Sequence, residues 1–152
     1  DPIQEKTRQY IVDYVNGFLK DYDSIHLDRL WWPIGYAEGD PKEKREALTD
    51  ILRRIRKANP KKYISIAVNA NGKEFGNNLD GFNDYKLWLK EGLIDKVWIN
   101  INHNDEELFT ALLQDAKRIT DSVIVGINHP EWLSKCEGMN VALYSYGVRN
   151  GS

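Results

Sequence analysis

The stretch DYDSIHLDRLWWP, residues 21–33, decides the fold, because its alternation sets out the two faces of one strand. From Ser24 to Leu30 it reads as a short buried strand, with His26 and Asp28 on one side and Ile25 and Leu27 on the other. The chain then opens into an aromatic loop at Trp31-Trp32-Pro33. A carboxylate at a strand end beside two tryptophans has the make-up of a sugar site, since sugar rings lie against aromatic faces and are oriented by a few placed polar groups. The same Trp-Trp-Pro run also serves as a loop that folds its aromatics onto the edge of a core.

Working outward, the same unit recurs. From Glu5 to Tyr22 the apolar residues Tyr10, Ile11, Tyr14, Val15, Phe18 and Leu19 repeat about every four residues and predict one buried helix face. After the strand and a loop with Gly35, Gly39 and Pro41, Asp40-Pro41-Lys42-Glu43 predicts a helix start, with Asp as cap and Pro in the first position. That helix continues through Ile55 and ends at Asn59-Pro60. Tyr63 to Ala70 predicts a second strand, and a Gly- and Asn-rich loop, Asn71 to Gly81, follows it. A helix through Tyr85, Trp88 and Leu89 stops at Gly92, and Lys96 to Asn102 is the third strand. The next helix opens at Asn104-Asp105-Glu106, with Leu108, Leu112, Leu113, Ala116 and Ile119 inward. Ser122 to Asn128 is the fourth strand, a short helix carries Trp132, Leu133 and Cys136, and Asn140 to Gly147 is the fifth strand. Strict alternation of strand and helix implies right-handed crossovers and a parallel sheet.

The two faces of these strands decide which parallel sheet. One set of alternate positions is aliphatic throughout: Ile25 and Leu27, Ile64 to Val68, Val97 to Ile101, Val123 to Ile127, Val141 and Leu143. The other set holds His26, Asp28, Ser65, Asn69, Trp98, Asn100, Asn102, Asn128, Tyr144 and Tyr146, and turns polar toward the strand ends. A doubly wound sheet is aliphatic on both faces, whereas a (β/α) barrel has helices outside and its chemistry at the C-terminal rim. The expected class is therefore α/β, a partial TIM-type (β/α) barrel of five parallel strands with helices on one face. Its mouth would gather Asp28, Asn69, Asn102, Asn128 and Tyr144 or Tyr146; Asn is also common in turns at strand ends. Five strands do not close a barrel of eight, so a dimer or a fragment origin is expected. The chain opens on Asp1 rather than Met, as a processed product or a piece of something longer would.

At 152 residues the chain reads as one domain, 1–152, with 41% hydrophobic and 29% charged residues. A formal net charge of -2 with interspersed signs offers no reason to expect nucleic acid or an anionic membrane as partner. No apolar run approaches the roughly 18 residues of a membrane span, and no signal peptide opens the chain. The single Cys136 excludes an intramolecular disulfide and a Cys-rich zinc site, and its place in a short helix points to a buried structural thiol. Neither a phosphate-binding Gly loop nor a serine nucleophile elbow is present, and no cofactor is expected.

Asp1-Pro2, the Thr7 to Val12 run, Asp21 to Pro33, Ile64 to Gly72, Trp88 to Asn102 and Asn140 to Gly147 occur in an order and spacing that is similar to a known family. They resemble the second half of the bacterial glycosyl-hydrolase-like barrel family related to the poly-N-acetylglucosamine hydrolase barrel. There the matching segments read IHLDYIRYP, SISPFG, GLIDYVVPQIY and GVALFSYG. The resemblance covers nearly the whole chain. It implies that Ser24 to Leu30 and Asn140 to Gly147 are the fourth and eighth strands of a full barrel. It also implies a secreted or envelope-located glycosidase acting on a polysaccharide, with Asp28 as the residue carried over most directly. Ser24, Val68, Ile99, Asn100 and Asn102 depart from the family's pattern, some of them at the rim.

Glycoside hydrolysis usually requires two carboxylates, about 5 to 5.5 Å apart for retention and roughly 6.5 to 9.5 Å apart for inversion. Asp28 is one candidate and Glu131, just after the fourth strand, is the other. An acid in the first turn of a helix is also expected from the helix dipole alone. Glu38 and Glu74 lie on loops within reach of the mouth. Trp31, Trp32 and Tyr146 are candidate sugar platforms; Asn69, Asn102, His103 and Asn128 are candidates for orienting hydroxyls. His129 is a further polar group at the rim, and His26, lower down, reads as a hydrogen-bonded core residue. The surrounding amides are poor ligands for a transition metal, so no metal site is expected. A non-catalytic carbohydrate-binding barrel, or an assembly piece whose polar face meets another chain, are the alternatives to an enzyme.

Overall fold

The structure, a computed structural model, describes residues 1–28, 40–69, 83–101, 106–127 and 130–143. It is an α/β fold whose helices α1 (Glu5–Leu19), α2 (Pro41–Ala58), α3 (Tyr85–Lys90) and α4 (Glu106–Ala116) alternate with five strands. The strands are β1 (Ser24–Leu27), β2 (Tyr63–Asn69), β3 (Lys96–Ile101), β4 (Val123–Ile127) and β5 (Asn140–Leu143). They lie in chain order, and every neighbouring pair is parallel. A doubly wound sheet reverses its strand order at a switch point, and this sheet has no reversal. Sequential order with right-handed crossovers puts all the helices on one face.

Burial separates the two faces. Ile64, Ile66, Val68, Val97, Ile99, Val123, Val125 and Ile127 are at most 1% exposed and belong to one core with helix residues such as Ile51, Ile55, Trp88 and Phe109. On the opposite face His26 is exposed, Ser65, Trp98, Asn100 and Ile124 are half-buried, and the buried Ala67 lies outside that core. The aliphatic alternation thus predicts the helix-covered face correctly. None of the described helices is long and apolar enough to cross a membrane.

Local signals set the element ends. Asp40 caps α2 by accepting from the Lys42 N–H at 2.9 Å, with Pro41 in the first turn. α3 ends where Gly92 adopts φ +67°, which lets the Leu93 N–H reach the Trp88 carbonyl at 2.8 Å and the Gly92 N–H reach that of Leu89 at 3.1 Å. Asp95 then clips three elements together. Its carboxylate accepts from the Ile64 N–H at 2.8 Å and from Arg56 Nη2 at 2.7 Å, while Arg56 Nη1 donates to the Lys62 carbonyl at 2.7 Å.

Three expectations need correction. The paired repeat on α1 is not one buried face: Val12, Val15 and Leu19 enter the core, while Tyr10 (70%), Tyr14 (68%), Phe18 (45%) and the following Tyr22 (55%) are exposed. The apolar stripe is wider than the contact offered by α2 and the sheet, so one edge of it is left uncovered. β1 ends at Leu27 rather than Leu30, and Asp28 occupies the turn. α4 stops at Ala116 and passes into a 3₁₀ turn, Lys117–Ser122, instead of running through Ile119. Leu133 is exposed, because Trp132 takes the core contact by packing on Phe109 with ring centroids 4.5 Å apart. Cys136 is buried, as expected, and burial raises its thiol pKa.

Arginines tie α1 to α2. Arg54 meets Glu5 at 2.5 Å and Asp50 at 2.9 Å, and Arg8 meets Glu5 at 2.6 Å and Asp50 at 3.0 Å. Hydrogen bonds from Arg54, then Arg8, lower the Glu5 carboxyl from its ordinary 4.5 to about 2. A carboxyl depressed in the folded state stabilises the fold above its unfolded pKa and loses that contribution as pH falls through the folded one. The contribution of Glu5 is therefore complete above pH about 4.5 and lost toward pH about 2. Thermal melts of wild type and Glu5→Gln should differ above that window and converge below it. The difference should be small and shrink with added salt, because the group is exposed. A gap that persists unchanged at the acid end would contradict this assignment.

Candidate functional site

The helix-free face begins at β1. In parallel register His26 lies against Ser65, and the two are hydrogen-bonded at 2.8 Å between Nδ1 and Oγ, the ring's tautomer setting which donates. Trp98 on β3 approaches the same imidazole edge-on, with centroids 6.2 Å apart and planes at 65°. The rings meet across β2 because at that level β2 presents the small Ser65 and Ala67. Further along the strands Asn69, Asn100, Gly126 and Ala142 form one register row, and Asn100 is half-buried.

Asp28 stands in the turn directly after β1, two residues beyond His26, and is exposed. It also lies at the end of a groove of about 580 Å³ formed by Tyr14, Val15 and Phe18 of α1 and residues Ser24 to Asp28. Its place at the C-terminal end of a parallel strand is where sites form in barrels and open α/β sheets alike.

Glu131 stands in the first turn of the 3₁₀ segment Pro130–Cys136 after β4 and is exposed. β2 and β3 lie between it and Asp28, and three strand spacings amount to roughly 14 Å of backbone. That exceeds the carboxylate separations of glycosidases, so the two side chains would have to lean toward each other to act as a pair. Asn69 closes β2. Trp31, Trp32, Asn102, His103, Asn128 and Tyr146 lie outside the described residues, as do Glu38, Glu74, His129 and Tyr144. His26 is hydrogen-bonded as expected but exposed rather than buried in a core.

The His26–Ser65 pair was readable only in part. Each residue is the third of its strand, and a parallel pairing with no offset brings them together. Trp98 and Asn100 carried the same period-two signal as the other residues of this face. The groove under Tyr14 and Phe18 had none, because their spacing reads as a buried helix face. Among the described residues there is no group of three or more His, Cys, Asp or Glu placed to hold a metal ion. In comparisons with known proteins, no family model matches the chain, and no curated protein matches it.

Proposed function

We propose that the chain is part of a (β/α)-barrel module of glycoside-hydrolase type that acts on a polysaccharide or oligosaccharide by general acid/base chemistry. The observation that carries this reading is the placement of Asp28 at the C-terminal end of β1, beside a helix-free face bearing His26, Ser65, Trp98 and Asn100. Asp28 is the central carboxylate, and Glu131 or a residue outside the described ones supplies the second. Trp31, Trp32 and Tyr146 serve as sugar platforms, while Asn69, Asn102, His103 and Asn128 orient hydroxyls. The resemblance of the IHLD, GLID and ALYSYG segments adds a bacterial envelope or extracellular polymer as substrate.

A second reading, a carbohydrate-binding barrel without turnover, is favoured by the three strand spacings that separate Asp28 from Glu131. Two assays on the same chain separate them: release of reducing ends from a panel of bacterial polysaccharides, and quenching of tryptophan fluorescence by the same sugars. Hydrolysis supports the enzyme, and quenching without hydrolysis supports the binding module. Neither signal with any sugar would end both readings.

A further inference from the structure

Trp98 lies on β3, the central strand of the sheet, on the face opposite the helices, and it neither belongs to the helix-covered core nor packs against it. Its indole does not stand over its own strand. β1 and β3 are two strand spacings apart, roughly 10 Å of backbone, yet the ring centroids of Trp98 and His26 come within 6.2 Å. Ala67 of β2, in register with Trp98, is only 4% exposed although no helix covers its side of the sheet. The indole therefore leans across β2 toward β1, with one face down over Ala67 and the other turned away from the sheet. The Ser65 hydroxyl, 2.8 Å from His26 Nδ1, holds the imidazole against it. Leu27 pairs with Ile66, so Asp28 follows at the level of Ala67 and Trp98. Asn100, two residues further along β3 on the same face, is half-buried. Neither its amide nor the indole Nε1–H makes a hydrogen bond with any of the described residues.

We propose that Trp98 is the sugar platform beside Asp28, its free face taking one ring of a saccharide while Asn100 hydrogen-bonds that ring's hydroxyls. The proposal rests on the saccharide reading above and adds to it the residue that sets a ring next to the carboxylate. The chemistry favours a ligand here over a packed interior. The layers that fill a closed barrel are mostly Val, Ile and Leu. A Trp buried among such side chains has its N–H paired, whereas this one has no partner among the described residues. A saccharide satisfies both halves of the indole, with C–H groups against the ring face and hydroxyl oxygens as acceptors for the N–H. The Asn100 amide offers a donor and an acceptor, as a sugar hydroxyl does. The platform is also held before any ligand arrives, by a central strand beneath it and by the hydrogen-bonded His26 beside it, which lowers the ordering cost of binding.

Calorimetric titration of the whole chain with hexasaccharides of β-linked glucose, mannose and N-acetylglucosamine, run beside reducing-end release from the same sugars and thermal melts, tests it. Trp98→Ala should weaken binding by about tenfold, the loss expected for one aromatic stacking contact, with a melting temperature close to that of wild type. Trp98→Phe keeps a flat ring and should retain most of the affinity. Trp98→Leu keeps apolar bulk without a flat face; it should bind as weakly as the alanine variant and is the one to read should that variant fail to fold. Asn100→Ala should weaken binding by about three- to tenfold. Wild-type affinity in the alanine or leucine variant, with or without a lowered melting temperature, overturns the proposal and makes Trp98 a packing residue of the interior. The saccharide reading survives that outcome, because the wild-type chain still binds or cleaves sugar. A wild type that does neither with any of the hexasaccharides removes that reading and the platform with it.

Discussion

Replacing Asp28 by asparagine is expected to lower hydrolysis by about 10²–10⁴-fold, the range that a positioned acid or base contributes, while leaving saccharide binding in place. Asparagine keeps the shape and the hydrogen-bonding reach of aspartate but cannot ionise or carry a proton. The side chain is exposed in the turn after β1, so the exchange leaves the core untouched and the variant should fold as wild type does. Reducing-end release measures the first quantity and fluorescence titration the second. Turnover equal to wild type would remove Asp28 from catalysis. Loss of binding along with turnover would make it a sugar-holding group instead.

The largest effect on stability is expected at Trp88. This side chain is fully buried, and its Nε1–H donates to Thr49 Oγ1 at 2.8 Å, whose hydroxyl in turn donates to the Arg45 carbonyl at 2.8 Å. α3 has only six residues, too few to persist without tertiary anchorage. Trp88 is thus the residue that fixes α3 onto α2. Trp88→Ala should cost about 3–5 kcal/mol through lost burial and the cavity left behind. For a chain of this size that lowers the melting temperature by roughly 6–20 °C. Trp88→Phe should cost less, since it keeps most of the apolar volume and gives up the hydrogen bond to Thr49. Denaturant unfolding of the two variants measures both steps. A loss below about 1 kcal/mol for the alanine variant would show that the indole does not anchor the core.

Both predictions draw on features that differ in how readable they were. The caps at Asp40 and Gly92, the β-strand alternation and the helix ending at Asn59 are short-range signals, carried by neighbouring residues and legible without tertiary contacts. The uncovered ridge on α1 was not legible, because periodicity tells that a stripe is apolar and not how much of it a neighbour covers. Leu133 went the same way: Trp132 and Leu133 are equally apolar in sequence, and only the packing on Phe109 chooses between them. For the candidate site, Asp28 was placed by its position at a strand end, whereas its separation from Glu131 depended on strand order.

The sequence by itself determined an α/β chain of five alternating units with one aliphatic and one polar strand face, because side-chain direction in a strand follows residue parity. It also placed Asp28 at a strand end and kept charge, metal and cofactor signals out of view. Only the tertiary structure decided that His26 meets Ser65 and that an aromatic ridge on α1 stays uncovered beside β1. Each of these is a contact between residues far apart in the chain. Local pattern sets which way a side chain points, and what it meets is set by the packing of every other element.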